Sequence, residues 1–331
     1  MGNNQKTVTV KVPCGLIIGD MQGGDKHSGR CVNYNSKTIN RLCRQCNVTG
    51  DDSGDPHHKC KKISMNIIKE YVSSNQIHIL KELNQHNVHL AWFDVDFGGC
   101  PYGVFSAAMP LESLHALEGG LIKNILQILF TQDLKPLGCA NLDYLIIEMC
   151  TWPRQFYLCN GSNNLMPCLK FKDGVSSLSK ISSRDMVGEM FDIFVISLTD
   201  KGSKLLIDIL TQNFKGNTRK AKTCFYDLKY LFSMILACWS WLQKETYWQR
   251  GDNNSKKIAE HSIKTLMITM QKLWPRADGN GWNIPKFHKQ LHIPRDIERH
   301  GSPQNVYAGP TEKHHKHTKN HTQHTQKDVI V

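Results

Sequence analysis

The stretch Thr7-Val8-Thr9-Val10-Lys11-Val12-Pro13-Cys14-Gly15-Leu16-Ile17-Ile18-Gly19-Asp20 decides the fold expected of this chain. Its first six residues alternate and are β-rich, and Pro13 interrupts them. The apolar run from Cys14 to Gly19 then reads as a short buried strand, and it ends on an acid. A buried strand that delivers a carboxylate at its C-terminal end is a frequent place for chemistry. Glycines in Met21-Gln22-Gly23-Gly24-Asp25 mark a turn immediately after it.

Working outward, residues 28–62 are loop-like and hold a crowd of cysteines, Cys31, Cys43, Cys46 and Cys60. From Ile63 to about His86 apolar residues recur at helical spacing, with Ile63, Ile67, Ile68 and Tyr71 on one face. The aromatic, Gly-rich stretch Trp92 to Gly99 reads as a turn. Spacings of three and four then predict helices over 111–131, 141–150, 183–199, 202–213, 223–246 and 255–273. Residues 160–182 break that series, Trp274-Pro275 ends it, and Asp278-Gly279-Asn280-Gly281 is a linker by composition. Eight of the sixteen histidines fall in 282–331, where Glu312 to Lys319 could continue a helix and the last dozen residues read as frayed.

The chain of 331 residues carries 41 Lys and Arg against 29 Asp and Glu, a formal net charge of +12. Such a surplus favours a polyanionic partner, nucleic acid or an anionic membrane surface. The longest apolar run, Tyr230 to Leu242, is too short to span a bilayer and lies between Lys229 and Lys244. No secretory signal opens the chain, whose first residues are polar. The expected partner is therefore DNA or RNA rather than lipid, and the cysteines are expected to bind metal or pack as free thiols rather than form disulfides.

The strongest local motif is Cys43-x2-Cys46, followed by His57-His58 and Cys60. A Cys-x2-Cys knuckle supplies two tetrahedral zinc ligands from one tight turn, and a second short cluster supplies two more. Here Cys60 with His57 or His58 would complete the set, with Cys31 to spare, and four protein ligands make the zinc structural. Asp20 and Glu312 form a candidate Mg²⁺ or Mn²⁺ pair, since two-metal sites collect carboxylates from strand ends and helices. By spacing alone they read equally as a turn-capping Asp and a helix N-terminal Glu. Asp94 and Asp96 could ligate a cation, and His115 with Glu118 share a helical face, most simply as a buried structural pair. His314, His315, His317, His321 and His324 could bind metal or lie on phosphates.

Three blocks, in order, resemble the transposases of Plavaka and related CACTA-type DNA elements. They are Ile17-Ile18-Gly19-Asp20 with Cys43-Arg44-Gln45-Cys46; then Asp96-Phe97-Gly98, Gly103-Val104-Phe105 and Met109 to His115 with Gly120-Leu121-Ile122; then Lys286-Phe287-His288, His292, Gly301 and Glu312 to Lys316. The resemblance implies an α/β fold with a large, mainly α insertion. Its partial ribonuclease-H-like core would be discontinuous in sequence, made of residues 1–27 and 282–320. The zinc-knuckle loop would occupy 28–62, the helical insertion 63–281 and a tail 321–331. It implies Asp20 and Glu312 as catalytic acids holding Mg²⁺ or Mn²⁺, Cys43 and Cys46 as the knuckle pair, DNA as partner, the nucleus as location, and metal-dependent strand cleavage and transfer as the reaction. Only nineteen residues precede Asp20 and none is acidic. The first acid of the family's triad thus has no counterpart, and the expectation is a truncated, inactive copy. The alternative expectation is a non-catalytic zinc-containing DNA-binding or interaction protein derived from such an enzyme. A helical interaction module with incidental metal binding is a third. An oligomer is compatible with each.

Overall fold

The structure is a computed structural model, and it describes residues 21–31, 40–106, 110, 114–149, 174–179, 181–244, 252–277 and 279–306. It opens with α1 (Met21–His27) and, after the cysteine loop, continues with α2 (Met65–Ser73), α3 (Ile77–Glu82) and α4 (Gly103–Ser106). A run of helical segments follows, broken at Lys135 by a backbone with φ +58. Its π-helical turns Leu114–Ile122 and Leu129–Leu134 flank α5 (Lys123–Ile128), and α6 (Lys135–Met149) follows them. Then come α7 (Ser183–Ser197), α8 (Asp200–Asn213), α9 (Thr218–Leu242), α10 (Asn253–Leu273), α11 (Pro285–His288) and α12 (Ile293–His300).

The expected α/β core is corrected by this architecture. Among the described residues there is no strand and no sheet, and β pairing is confined to the isolated bridges Arg30 with Gln85 and Cys46 with Lys62. The candidate strand 7–20 lies outside the described residues. A strand needs a neighbouring strand to satisfy its backbone. Among the described residues none is offered: Met21–His27, read as a turn, is helical, and so are Pro285–His288 and Ile293–His300, which lie in the segment expected to supply the second half of the core. A ribonuclease-H-like arrangement is not seen.

The long helices form where apolar spacing and polar caps agree. Ser182 and Asp185 make a reciprocal capping box at α7. The side chains of Thr199, Asn217 and Asp252 cap α8, α9 and α10 by accepting backbone N–H bonds. Each cap satisfies donors that an isolated helix start leaves orphaned. The apolar faces meet in one large core, in which α9 packs against α7, α8 and α10 through residues such as Phe225, Leu228, Phe232 and Ile235. Residues 63–86, expected as one helix, divide into α2 and α3 because Asn75 adopts φ +54, a left-handed turn that Asn tolerates. A smaller core (Ile63, Met65, Ile68, Leu80, Phe93, Phe97, Val104, Phe105) holds that segment together.

The C-terminal helices α11 and α12 dock on the large core through Phe287, Ile293 and Ile297. Lys286 Nζ donates to the Gly119 carbonyl and Gln290 Nε2 to that of Ala116, so the segment is tied to the Leu114–Ile122 stretch. That anchoring fixes where His288 and His292 point.

Candidate metal centre

Two distant pieces of chain make the centre. The first is the knuckle. Leu42 N–H donates to the Val48 carbonyl at 2.7 Å and closes the turn, and Gln45 N–H donates to Cys43 Sγ at 3.3 Å. The Cys46–Lys62 bridge, with Asn47 N–H donating to Lys61 O and Ile63 N–H to Gln45 O, lays the returning chain beside the knuckle. That brings Cys60 alongside Cys46, and Leu42, Cys43, Cys46 and Val48 form a small core of their own.

The second piece is the helical stretch from Pro285 to His300. Proline in the first turns of α11 and α12 preorganises them, since a helix start has no use for its N–H. His288 and His292, four residues apart, stand on one face with ring centroids 5.1 Å apart. Cys46 Sγ lies 3.1 Å from His288 Nε2, and Cys43 Sγ lies 3.4 Å from His292 Nε2. One ligand atom from each of Cys43, Cys46, His288 and His292 falls within 4.8 Å of all the others, and all four residues are buried. Tetrahedral zinc with ordinary bond lengths would set S···N separations of about 3.6 Å, so the four need only a slight adjustment around an ion. The cluster can hold a metal ion such as zinc.

The expected ligand set was Cys43 and Cys46 with Cys60 and His57 or His58. The structure supplies His288 and His292 in place of Cys60 and the neighbouring histidine. His57 is exposed, its backbone N–H bonded to Asp55 Oδ1. His58 is half-buried and lines a groove beside the centre. Cys60 stands at the edge, its Sγ 3.9 Å from His288 Nε2. Proximity in sequence favoured the local histidines. The signal for the other pair was present, a His-x3-His spacing that stacks two imidazoles on any helix. Nothing in the sequence places that distant helix against the knuckle.

The groups share protons in the absence of an ion. Burial raises the Cys43 thiol, but its hydrogen bond with Cys46 and the nearby His292 and His288 outweigh this and pull it well below the usual value. Burial and the bonds to Cys43 and Cys60 push Cys46 up instead. Cys60 is drawn down to about 4 by the Cys46 hydrogen bond, against its burial, with help from His288. Burial would lower His288, yet the thiolates of Cys43 and Cys60 raise it to about 9. Thiolates paired with imidazolium in a buried pocket are a ligand set ready to exchange protons for a cation.

A buried ionic frame surrounds the knuckle. Asp25 receives Arg30 at 2.9 Å and Arg44 at 3.4 Å, all three nearly inaccessible. Arg41 donates to the carbonyls of Cys43, Arg44 and Leu83, so the knuckle backbone is gripped from one side. Gln45 Nε2 grips α12 from the other, at 3.2 Å from Asp296 Oδ2. Gly24 makes room for the frame, since a Cβ there would sit 2.0 Å from Arg44 Nη1.

The remaining candidates resolve into structural roles or lie beyond the described chain. Asp94 is exposed and pairs with Lys69 at 2.9 Å, and Asp96 Oδ1 accepts from the N–H groups of Gly98 and Gly99 in a turn. Buried Glu118 accepts from Trp239 Nε1 at 3.0 Å. Asp20, Glu312 and the tail histidines His314, His315, His317, His321 and His324 lie outside the described residues, as does Glu312 to Lys319. Compared with family models, with curated proteins and with solved structures, the chain gives no match. No described helix is long and apolar enough to cross a membrane.

Proposed function

We propose that this chain is a DNA-binding protein related to cut-and-paste transposases, with its fold fastened by a structural zinc ion on Cys43, Cys46, His288 and His292. One observation carries the reading: Cys43-x2-Cys46 of the first resembling block and His288-x3-His292 of the third converge on one buried cluster. Residues far apart in the chain, picked out by the same resemblance, thus do one job. Four protein ligands close the coordination sphere, which suits a structural ion rather than a catalytic one. The net charge of +12 supplies the attraction for DNA.

The test is a paired measurement on the full chain. Elemental analysis is expected to give one zinc per chain. Anisotropy with a fluorescent DNA duplex is expected to show binding that weakens steeply with salt and is lost on chelation. Binding that ignores salt, or a protein that purifies without metal and is indifferent to chelators, contradicts the reading. The proposal is of binding, not cleavage: supercoiled plasmid with Mg²⁺ or Mn²⁺ is expected to stay intact. Nicking that Asp20→Asn or Glu312→Gln abolishes would make the protein an active transposase instead.

A second reading, an interaction module, is favoured by one feature. Leu137, Tyr144 and Ile147 share a face of α6 and are 69–71% exposed. Self-association in light scattering that Tyr144→Lys removes, with no DNA binding by the wild type, would favour it.

A further inference from the structure

A groove with a cavity volume of about 570 Å³ opens directly beside the metal centre, between the loop 56–62, α10 and α12. We propose that it seats the phosphodiester backbone of one strand of duplex DNA, and that the metal centre holds its walls apart; this rests on the DNA-binding reading above.

Its lining is built mainly from one sign of charge. Lys62 comes from the loop, Lys256 and Lys264 from α10, and Arg295 and Arg299 from α12. On each helix the spacing is that of a single face, 256–260–264 and 295–299. Only two carboxylates of the lining oppose these five cations, Glu260 and Glu298, and Glu298 is already held by Lys256. Lys62, Lys256, Arg295 and Arg299 line the same groove, so the cations crowd one another. Such crowding is costly without an anion between them. Polar atoms also lack hydrogen-bond partners among the described residues: His58 Nε2, which donates or accepts according to its tautomer, and Nε and Nη2 of Arg295. Arg295 Nη2 is ion-paired with Asp296 Oδ1 at 3.6 Å, a separation too long for a hydrogen bond.

A cavity of about 570 Å³ is too small for a stacked duplex; with a strand's phosphates seated in it, bases would remain outside and binding would be independent of sequence. Both walls hang on the cluster. His292 belongs to the groove lining and to the ligand set, and Arg295 follows it on the next helical turn. Lys62 is bridged to Cys46. Loss of the ion would remove one tie between the loop and α12, leaving the Gln45–Asp296 hydrogen bond, and so would loosen the groove.

The experiment uses the zinc-loaded full chain and a fluorescent duplex of about 25 base pairs across a salt series. The triple variant Lys62→Gln/Lys264→Gln/Arg299→Gln is expected to bind at least about tenfold more weakly, and its salt slope should fall by about 2–3, near 0.9 for each phosphate that is no longer neutralised. The control Lys204→Gln/Arg219→Gln/Lys222→Gln removes the same charge from exposed positions on α8 and α9. It is expected to change affinity by less than about threefold. Equal losses in both triples, or a groove triple that binds like wild type, overturn the proposal while leaving DNA binding intact. A wild type that does not bind DNA overturns both readings. Zinc content and melting temperature report folding. If the triple loses its metal, Lys264→Glu alone, in the middle of α10, carries the test with an expected loss of about threefold or more, and no loss there overturns the proposal.

Discussion

Glu189 is fully buried inside the helical core, and neither carboxylate oxygen has a hydrogen-bond partner among the described residues. Burial, reinforced by Asp143 and Asp192, raises its pKa to about 9. The folded protein therefore keeps Glu189 protonated at neutral pH, whereas the unfolded chain ionises near the ordinary 4.5. The unfolded state binds fewer protons between those values, so stability falls as pH rises from about 4.5 to about 9. At pH 7 the penalty is about 3 kcal/mol. Glu189→Met keeps the volume and removes the titration. It is expected to raise the melting temperature at pH 8 by several degrees and to gain much less at pH 5; an equal gain at both would show that the carboxylate is not titrating. Cys43 and Cys46 were legible as ligands because a Cys-x2-Cys turn is self-contained. His288 and His292 were not, because their role depends on a contact 242 to 249 residues away, while His57 and His58 offered a nearer partner in sequence.

At the scale of elements, the helices were the legible part. The expected spans 183–199 and 202–213 fall within two residues of α7 and α8, where periodicity and caps point the same way. Removing the cap with Ser182→Ala is expected to cost about 1 kcal/mol of stability and leave metal content unchanged. Gly54 belongs to a different class of contact. Its N–H donates to Asn283 Oδ1, its carbonyl accepts from Gln271 Nε2, and a Cβ would meet Asn283 Oδ1 at 2.3 Å. It fastens the cysteine loop to α10 and to the start of the histidine segment. Gly54→Ala is expected to cost about 1–2 kcal/mol, from broken hydrogen bonds and displaced packing, and to weaken metal retention as well. Calorimetry with a competing chelator separates the two variants; equal metal affinity in both would mean that this fastening does not support the centre. The α/β reading is overturned for a reason opposite to that of the helices. A core split between distant segments depends on pairing that no local pattern specifies, and the described parts of those segments, 21–27 and 282–306, are helical wherever they form regular structure, while 7–20 lies outside the described residues.

On the scale of the whole molecule, the cluster of Cys43, Cys46, His288 and His292 joins the early loop to the late helices, and an ion held there would close a very long loop of the chain. Closing a long loop restricts the unfolded ensemble, and ligand binding to the folded state adds to stability in proportion to the logarithm of ligand excess. Chelation is therefore expected to lower the melting temperature, and acid is expected to do the same as protons compete for the thiolates. The discontinuous core expected from 1–27 and 282–320 is not what the structure shows: the pieces that meet are the knuckle and the His-x3-His segment, and the frame around them is helical. The measurement that tests this account most directly is the zinc content of purified wild type beside two double variants. Wild type and His57→Ala/His58→Ala are expected to retain one zinc per chain, and His288→Ala/His292→Ala to retain none. Zinc kept by the 288/292 variant and lost by the 57/58 variant would contradict the account and return the site to the loop alone.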